Sequence, residues 1–265
     1  MPAYDITVPS LISCFLLLAI PFVISRIAGL GIIKESLLSV SRMLVQLLFV
    51  GLFLTFLFDM NNVFINLLWL LGMVTAATYT TIRDINMNLK DLFAPTILSF
   101  LPGNFFVLIY FNLFVIDLEN LFNARYLIPI FGMFLGNSLR GNIVGISDFY
   151  SNVKRNENRY LYSLSLGAKK TEALMPYIKQ SLLYAIKPSI ASMSTLGIVT
   201  LPGMMTGQII AGSSPVLAIK YQMAIMVAIY VSTVLTVSTG IYLAVISSFD
   251  EYGLLRNDIF RSAGV

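Results

Sequence analysis

Apolar stretches of about twenty residues recur seven times along this 265-residue chain, and each is long enough to cross the hydrocarbon core of a bilayer. They run from about Val8 to Ser25, Ser36 to Phe58, Val63 to Ile82, Leu92 to Ile116, Tyr126 to Ile146, Ser181 to Ala211 and Val216 to Phe249. Lipid offers the backbone no hydrogen-bond partners, so segments of this kind satisfy themselves as helices. The expected fold is therefore an all-α polytopic membrane protein, one domain over residues 1–265, with no linker and no clear internal repeat. The last two runs exceed thirty residues and are expected to tilt, kink or project beyond the bilayer. Composition agrees: 57% of residues are hydrophobic and 11% charged, where about 25% charged is usual for a soluble domain.

The basic residues give the chain a direction. Of the 17 Lys and Arg, only Arg125 and Lys220 fall on one side of a seven-span topology, beside Asp5, Asp59, Asp117 and Glu119. The rest gather on the other side, with the densest cluster between Arg140 and Lys187. The positive-inside rule then places the N-terminus outside and the C-terminus inside. Met1–Asp5 holds no Lys or Arg, so a cleaved signal peptide is not expected. The protein is expected to be a multi-pass protein of the plasma (inner) membrane.

Several chemistries are excluded by residue type. The chain has no histidine and one cysteine, Cys14, which removes His-dependent triads, intrachain disulfides and Cys/His metal sites. Gly167-Ala-Lys-Lys-Thr lacks the length and the preceding strand of a phosphate-binding loop. Acids fall in or near loops, so no intramembrane carboxylate is available to couple transport to protons. An acid–base enzyme would have only Asp148, Glu157 and Glu172 to draw on. A basic patch interleaved with aromatics on a soluble face is absent, so no nucleic-acid partner is expected.

What remains is the stretch from Asp148 to Ala211. Apolar residues recur at helical intervals from Phe149 to Leu166, Gly167 suits a left-handed helix terminus, and a second helix can start near Thr171-Glu172. Helix, glycine turn and helix make a knob at about 148–180. Tyr160, Tyr162, Leu164 and Leu166 are its candidate anchors. The same stretch can also be read as an amphipathic helix lying on anionic headgroups. Beyond it, Gly203, Gly207 and Ala211 form a small-residue ridge at every fourth position. Pro188 and Pro202 are expected to bend the sixth span, and Gly132, Gly136 and Arg140 repeat the spacing in the fifth. Polar residues at membrane depth (Gln46, Asn104, Asn137, Arg140, Gln208, Lys220 and Gln222) are candidates to line a path or to bond between helices.

Leu166-Gly167-Ala168, followed by Ala173, Pro176 and Ile178, resembles the cytoplasmic coupling loop of ABC-transporter permeases, which docks into a cleft on the ATPase subunit. The Glu-Ala-Ala that opens the importer version falls at Leu161-Tyr162-Ser163 here. The segment Leu201-Pro-Gly-Met-Met-Thr-Gly-Gln-Ile-Ile-Ala-Gly212, with Pro215 and Ala218-Ile-Lys-Tyr-Gln222, resembles the FetB/YbbM family over essentially the whole chain. That family comprises permeases of a small ABC exporter linked to iron resistance, with plant relatives associated with aluminium tolerance. The resemblance implies a transport subunit that is not itself an enzyme, dimerises with a second permease among membrane lipids and meets a separate cytoplasmic ATPase. ATP and magnesium would bind that ATPase and no cofactor this chain. Coupling then falls on Tyr160, Tyr162, Leu164, Leu166, Gly167, Ala168, Lys169 and Lys170, and the gate on Pro202, Gly203, Gly207 and Ala211.

The implied cargo is iron, yet amide and hydroxyl oxygens bind hard cations weakly. The residues leave the cargo open among a metal ion, a metal complex and another polar solute such as a nucleotide sugar, and they assign no metal site. The alternative class is a secondary transporter or channel without an ATPase, whose signature would be intramembrane acids or an inverted repeat.

Overall fold

Turn-forming asparagines and glycines mark where several of the helices stop, as at Asn61, Asn156 and Gly167. In the computed structural model, which describes residues 7–85, 87–250 and 252–256 and omits the side chains of 89–91, a broken apolar rod comes first. It consists of α1 (Val8–Leu16) and α2 (Ala19–Ile27). Gly29 and Gly31 then take positive φ, 65° and 68°, and turn the chain into α3 (Ile33–Met60). At the far end Asn61 caps α3 in the left-handed region, and the Asn62 side chain accepts the Phe64 and Ile65 amides to start α4 (Val63–Asp84). Then α5 (Leu89–Tyr110) ends in a π-helical turn, Phe111–Val115. The long α6 (Ala124–Arg155) is followed by the short α7 (Glu157–Ser165) and α8 (Lys170–Thr195). Last come α9 (Gly203–Ile210) and α10 (Pro215–Ser247). Asp5, the Lys90 side chain and Arg261, which enter the charge asymmetry, lie outside the described residues, as does the segment Met1–Asp5.

Helices α4, α5, α6, α8 and α10 pack against one another around two apolar cores at opposite ends of the bundle. One core joins Leu57, Leu70, Phe100, Phe111, Phe131, Phe134 and Ile225, beside the turns at 61–62 and 117–123. Those turns are tied together: Asn66 Nδ2 donates to the Phe122 carbonyl at 3.1 Å, and the Ala124 amide donates to Asn61 Oδ1 at 2.9 Å. The other core joins Ile82, Ile146, Phe149, Tyr160, Leu174, Ile241 and Phe249 at the basic end.

Between the cores α5, α6 and α10 meet in a polar seam. Ser138 Oγ donates to Asn104 Oδ1 at 2.8 Å, Asn104 Nδ2 donates to Thr236 Oγ1 at 3.2 Å, and Asn142 Nδ2 donates to Ser99 Oγ at 2.9 Å. Close approach makes this possible: a Cβ on Gly103 would lie 2.6 Å from Thr236 Oγ1, and one on Gly145 2.8 Å from a Val237 methyl. In contrast, α1, α2 and most of α3 lie almost bare of protein, with Ser25 and Leu57 their only buried residues among those described.

Two expectations are corrected. The sixth span is not one kinked helix of thirty residues: α8 ends at Thr195, and residues 196–202 form a turn before the eight-residue α9. Gly197 takes φ +84° in that turn. Pro202 is the N-cap of α9, so it starts a helix instead of bending one. Among the described residues, five segments are both long and apolar enough to cross a membrane: Val8–Ile27, Ile33–Met60, Val63–Asp84, Leu92–Val115 and Pro215–Ser247. The expected fifth and sixth spans, α6 and α8, have the length but a more polar composition. Of their polar residues Ser138, Asn142, Asn152 and Ser181 are buried against neighbouring helices, whereas Arg140, Lys179 and Lys187 are exposed. The all-α polytopic architecture stands.

Candidate functional site

The knob at the basic end starts as a continuation of α6, whose helical pattern runs unbroken from membrane depth to Arg155. One residue later α7 begins, Gly167 turns the chain at φ +90°, and Glu172 accepts the Lys169 amide at 2.9 Å as α8 begins. The knob is held from behind by residues 248–250 and 252–256. There Asp250 accepts the Tyr252 and Leu254 amides, Phe249 and Leu255 form an isolated bridge, and the Arg256 amide donates to the Ser248 carbonyl. This hook at the end of α10 grips α7: Tyr160 is 1% exposed, donates to the Gly253 carbonyl at 2.7 Å and meets Phe249 edge to face. Lys170 Nζ sits 5.0 Å over the Phe249 ring, and Tyr150 OH pairs with Ser248 Oγ.

That geometry divides the eight expected coupling residues. Tyr160 is turned inward under the hook, Leu164 and Lys170 are half-buried against it, and Ala168 is half-buried. The burial removes Tyr160 from the face a partner could touch. Tyr162 (65% exposed), Leu166 (71% exposed), Gly167 and Lys169 form the outward face. The anchor pattern misled for Tyr160 because helical spacing marks an apolar face without saying what covers it. The hook lies about ninety residues further along the chain.

Burial pushes the Tyr160 phenol above its ordinary value, and the Asp250 carboxylate pushes the same way. Burial lowers the Lys170 ammonium, and Asp250 opposes the change. Burial raises Tyr150 to about 12, against a hydrogen bond from Ser248 that pulls it down. A group whose folded pKa is raised holds its proton after the unfolded chain has lost it, so Tyr150 costs stability only as pH rises above about 10. Far-ultraviolet and phenolate absorbance should therefore show the hook intact from pH 7 to 9, with Tyr150 ionising late and together with loss of structure. Early ionisation at the ordinary phenol value would show the hook open.

At membrane depth the polar candidates scatter. Asn104 is fully buried and bonded within the seam. Gln222 is buried with Oε1 unpartnered, Gln46 is exposed on α3, Gln208 is half-buried on α9, and Lys220 is exposed beside the π-helical turn. Gly203, Gly207 and Ala211 make no tight contact: nothing lies within 4 Å of a Cβ placed on either glycine, and Ala211 is the exposed C-cap of α9. Only Asn137 and Arg140 come together. They share a cavity of about 250 Å³ among α6, α8 and α10, with Ser189, Ser192, Tyr230 and Thr233 on the other walls. Sequence reasoning did not single out those four. Hydroxyl residues carry no positional signal until their helices are docked.

A profile of the family described as "Uncharacterised protein family (UPF0014)" matches residues 8–249, which is nearly the whole chain. The chain belongs to that family. Among UPF0014 relatives, "Protein ALUMINUM SENSITIVE 3" of Arabidopsis thaliana is 31% identical over 243 residues, 91% of this chain and 86% of its own. The "Probable iron export permease protein FetB" of Escherichia coli (strain K12) is 30% identical over 225 residues, 85% of each chain. "UPF0014 membrane protein STAR2" of Oryza sativa subsp. japonica is 32% identical over 200 residues, 74% of this chain and 68% of its own. No solved structure matches. This UPF0014 chain is a multi-pass membrane protein, as its apolar helices and the names of its relatives agree.

Proposed function

We propose that this chain is the membrane-spanning permease subunit of an ABC exporter, and that metal homeostasis, iron efflux in particular, is its role. The reading is supported by the full-length similarity to a relative named as an iron export permease. One structural observation carries it further: a rigid knob, α7 with its glycine turn, is joined directly to α6 and α8 and locked onto the end of α10. Pushing the knob moves three helices that also wall the membrane cavity. In this reading the basic end faces the cytoplasm of a cell whose plasma (inner) membrane holds the protein. ATP and magnesium bind a separate ATPase chain, and the permease acts as a homodimer.

The cargo within this reading is held without a carboxylate cage. Among the described residues no three Asp, Glu, Cys or His side chains cluster as a metal site. The permease reading therefore fits a metal delivered as a complex better than a naked ion stripped of its ligands.

Tyr162→Ala combined with Leu166→Ala removes the outward apolar face and leaves the Tyr160 lock untouched. Co-purification with a cognate ABC ATPase should fall by about tenfold, the effect of losing one to two hot-spot contacts. Stimulation of ATP hydrolysis should fall with it. Unchanged assembly and unchanged stimulation would reject the docking assignment.

A further inference from the structure

We propose that the cavity among α6, α8 and α10 is a binding site for a solute carrying an oxyanion, a phosphate or carboxylate group, with Arg140 supplying the charge. Three observations converge on it. First, Arg140 opens onto the cavity and makes no ion pair or hydrogen bond among the described residues. Arg140 is exposed in the single chain, and a guanidinium offers five donors and no acceptor, so an unpaired one lining a cavity suits an anion. Second, the hydroxyls of Ser189 and Tyr230, on the two facing walls, are likewise unengaged among the described residues. Third, Thr233 lines the same cavity at 1% exposed, and its Oγ1 has no partner. A buried hydroxyl left unpaired costs free energy that an incoming acceptor would recover.

The lining holds no carboxylate. The nearest acid along α6, Asp148, already accepts from Asn152 and Ser181, each at 2.8 Å. A bare cation would meet a positive charge and no negative one. A volume of about 250 Å³ accommodates a phosphate-sized group with several waters, at about 30 Å³ per water. Arg140 is also suited to the task by shape, since its planar fork grips two oxygens at once.

As a statement about cargo this rests on the permease reading, but binding can be measured without an ATPase. The full chain in neutral phosphatidylcholine nanodiscs is titrated calorimetrically with inorganic phosphate and, separately, citrate. At least one should bind saturably. Arg140→Gln should weaken that binding about tenfold or more, as expected when a charge-assisted pair is lost, and Arg140→Lys should recover part of it. Thr233→Val removes an unpartnered hydroxyl without changing volume, so it should weaken binding several-fold and leave the unfolding midpoint in place.

No binding of either anion, or equal binding by Arg140→Gln, overturns the proposal. So does Arg140-dependent binding seen only with phosphatidylglycerol in the disc, which would make Arg140 a lipid-headgroup anchor. Failure here with ATPase coupling intact leaves the permease reading standing. Intact binding without any ATPase coupling leaves the cavity and removes the permease.

Discussion

Gly103→Ala is expected to lower the unfolding midpoint of the detergent-solubilised protein substantially. The new Cβ would lie 2.6 Å from Thr236 Oγ1, 3.0 Å from the Thr236 backbone nitrogen and 3.1 Å from the Ser232 carbonyl. A flexible side chain can swing aside, but two of these three atoms belong to the α10 backbone. The helices must therefore separate, at a cost of about 1–3 kcal/mol for overpacking. Separation also stretches the Asn104–Thr236 hydrogen bond, which contributes about 0.6 kcal/mol if it behaves as most interhelical bonds do in lipid. Adding Thr236→Ala should restore part of the loss by clearing the hydroxyl, and the backbone clash should keep the rest. Gly136→Ala is the matched control: nothing lies within 4 Å of its added Cβ, and Ala is favoured over Gly in a helix by up to about 1 kcal/mol. Equal midpoints for the Gly103 and Gly136 variants would disprove the tight α5–α10 seam.

Tyr160→Ala should produce the other large effect, this time local and at the basic end. The ring is fully buried between α7 and Phe249, so its removal costs about 3–5 kcal/mol if the cavity does not collapse. Tyr160→Phe keeps the ring and loses the bond to the Gly253 carbonyl, an effect of about 1 kcal/mol. Limited proteolysis should cut residues 248–256 quickly in the Ala variant and slowly in the Phe variant, while the membrane bundle still melts as one unit. ATPase stimulation should fall in the Ala variant even though Tyr162 and Leu166 are present. Stimulation equal to wild type with a released hook would show that the lock does not transmit force.

The architecture was legible because lipid imposes one rule on every span, and runs such as Val63–Ile82 obey it on their own. The knob was also legible: Gly167 and the Thr171-Glu172 start are local signals, and both fall where the turn and the start of α8 lie. Tyr160 was misread because its partner, Gly253, is distant in sequence and gives no local pattern. The glycine ridges show the same limit. Gly203 and Gly207 have the right spacing but nothing against them, whereas Gly141 and Gly145, with equal spacing, press on Thr233 and Val237. Spacing states what a helix can offer, and only the docked neighbour decides whether it is used. The break at 196–202 was hidden because Ile198, Val199 and Leu201 kept the stretch apolar while Gly197 ended the helix.

The polar seam also has a consequence for biosynthesis. Asn104 enters the bilayer with α5, yet its α10 partner Thr236 is 132 residues further along. At synthesis rates of about 5–20 residues per second, the interval is on the order of ten seconds. During it, the nearest relief is Ser138 of α6, only 34 residues away, and the amide meanwhile donates to the Phe100 carbonyl of its own helix. Ser138 is thus available to Asn104 before Thr236 has been synthesised. A ribosome stalled between the two would leave a half-built bundle with an amide donor turned toward lipid, a mark by which quality control could distinguish an unfinished chain from a complete one.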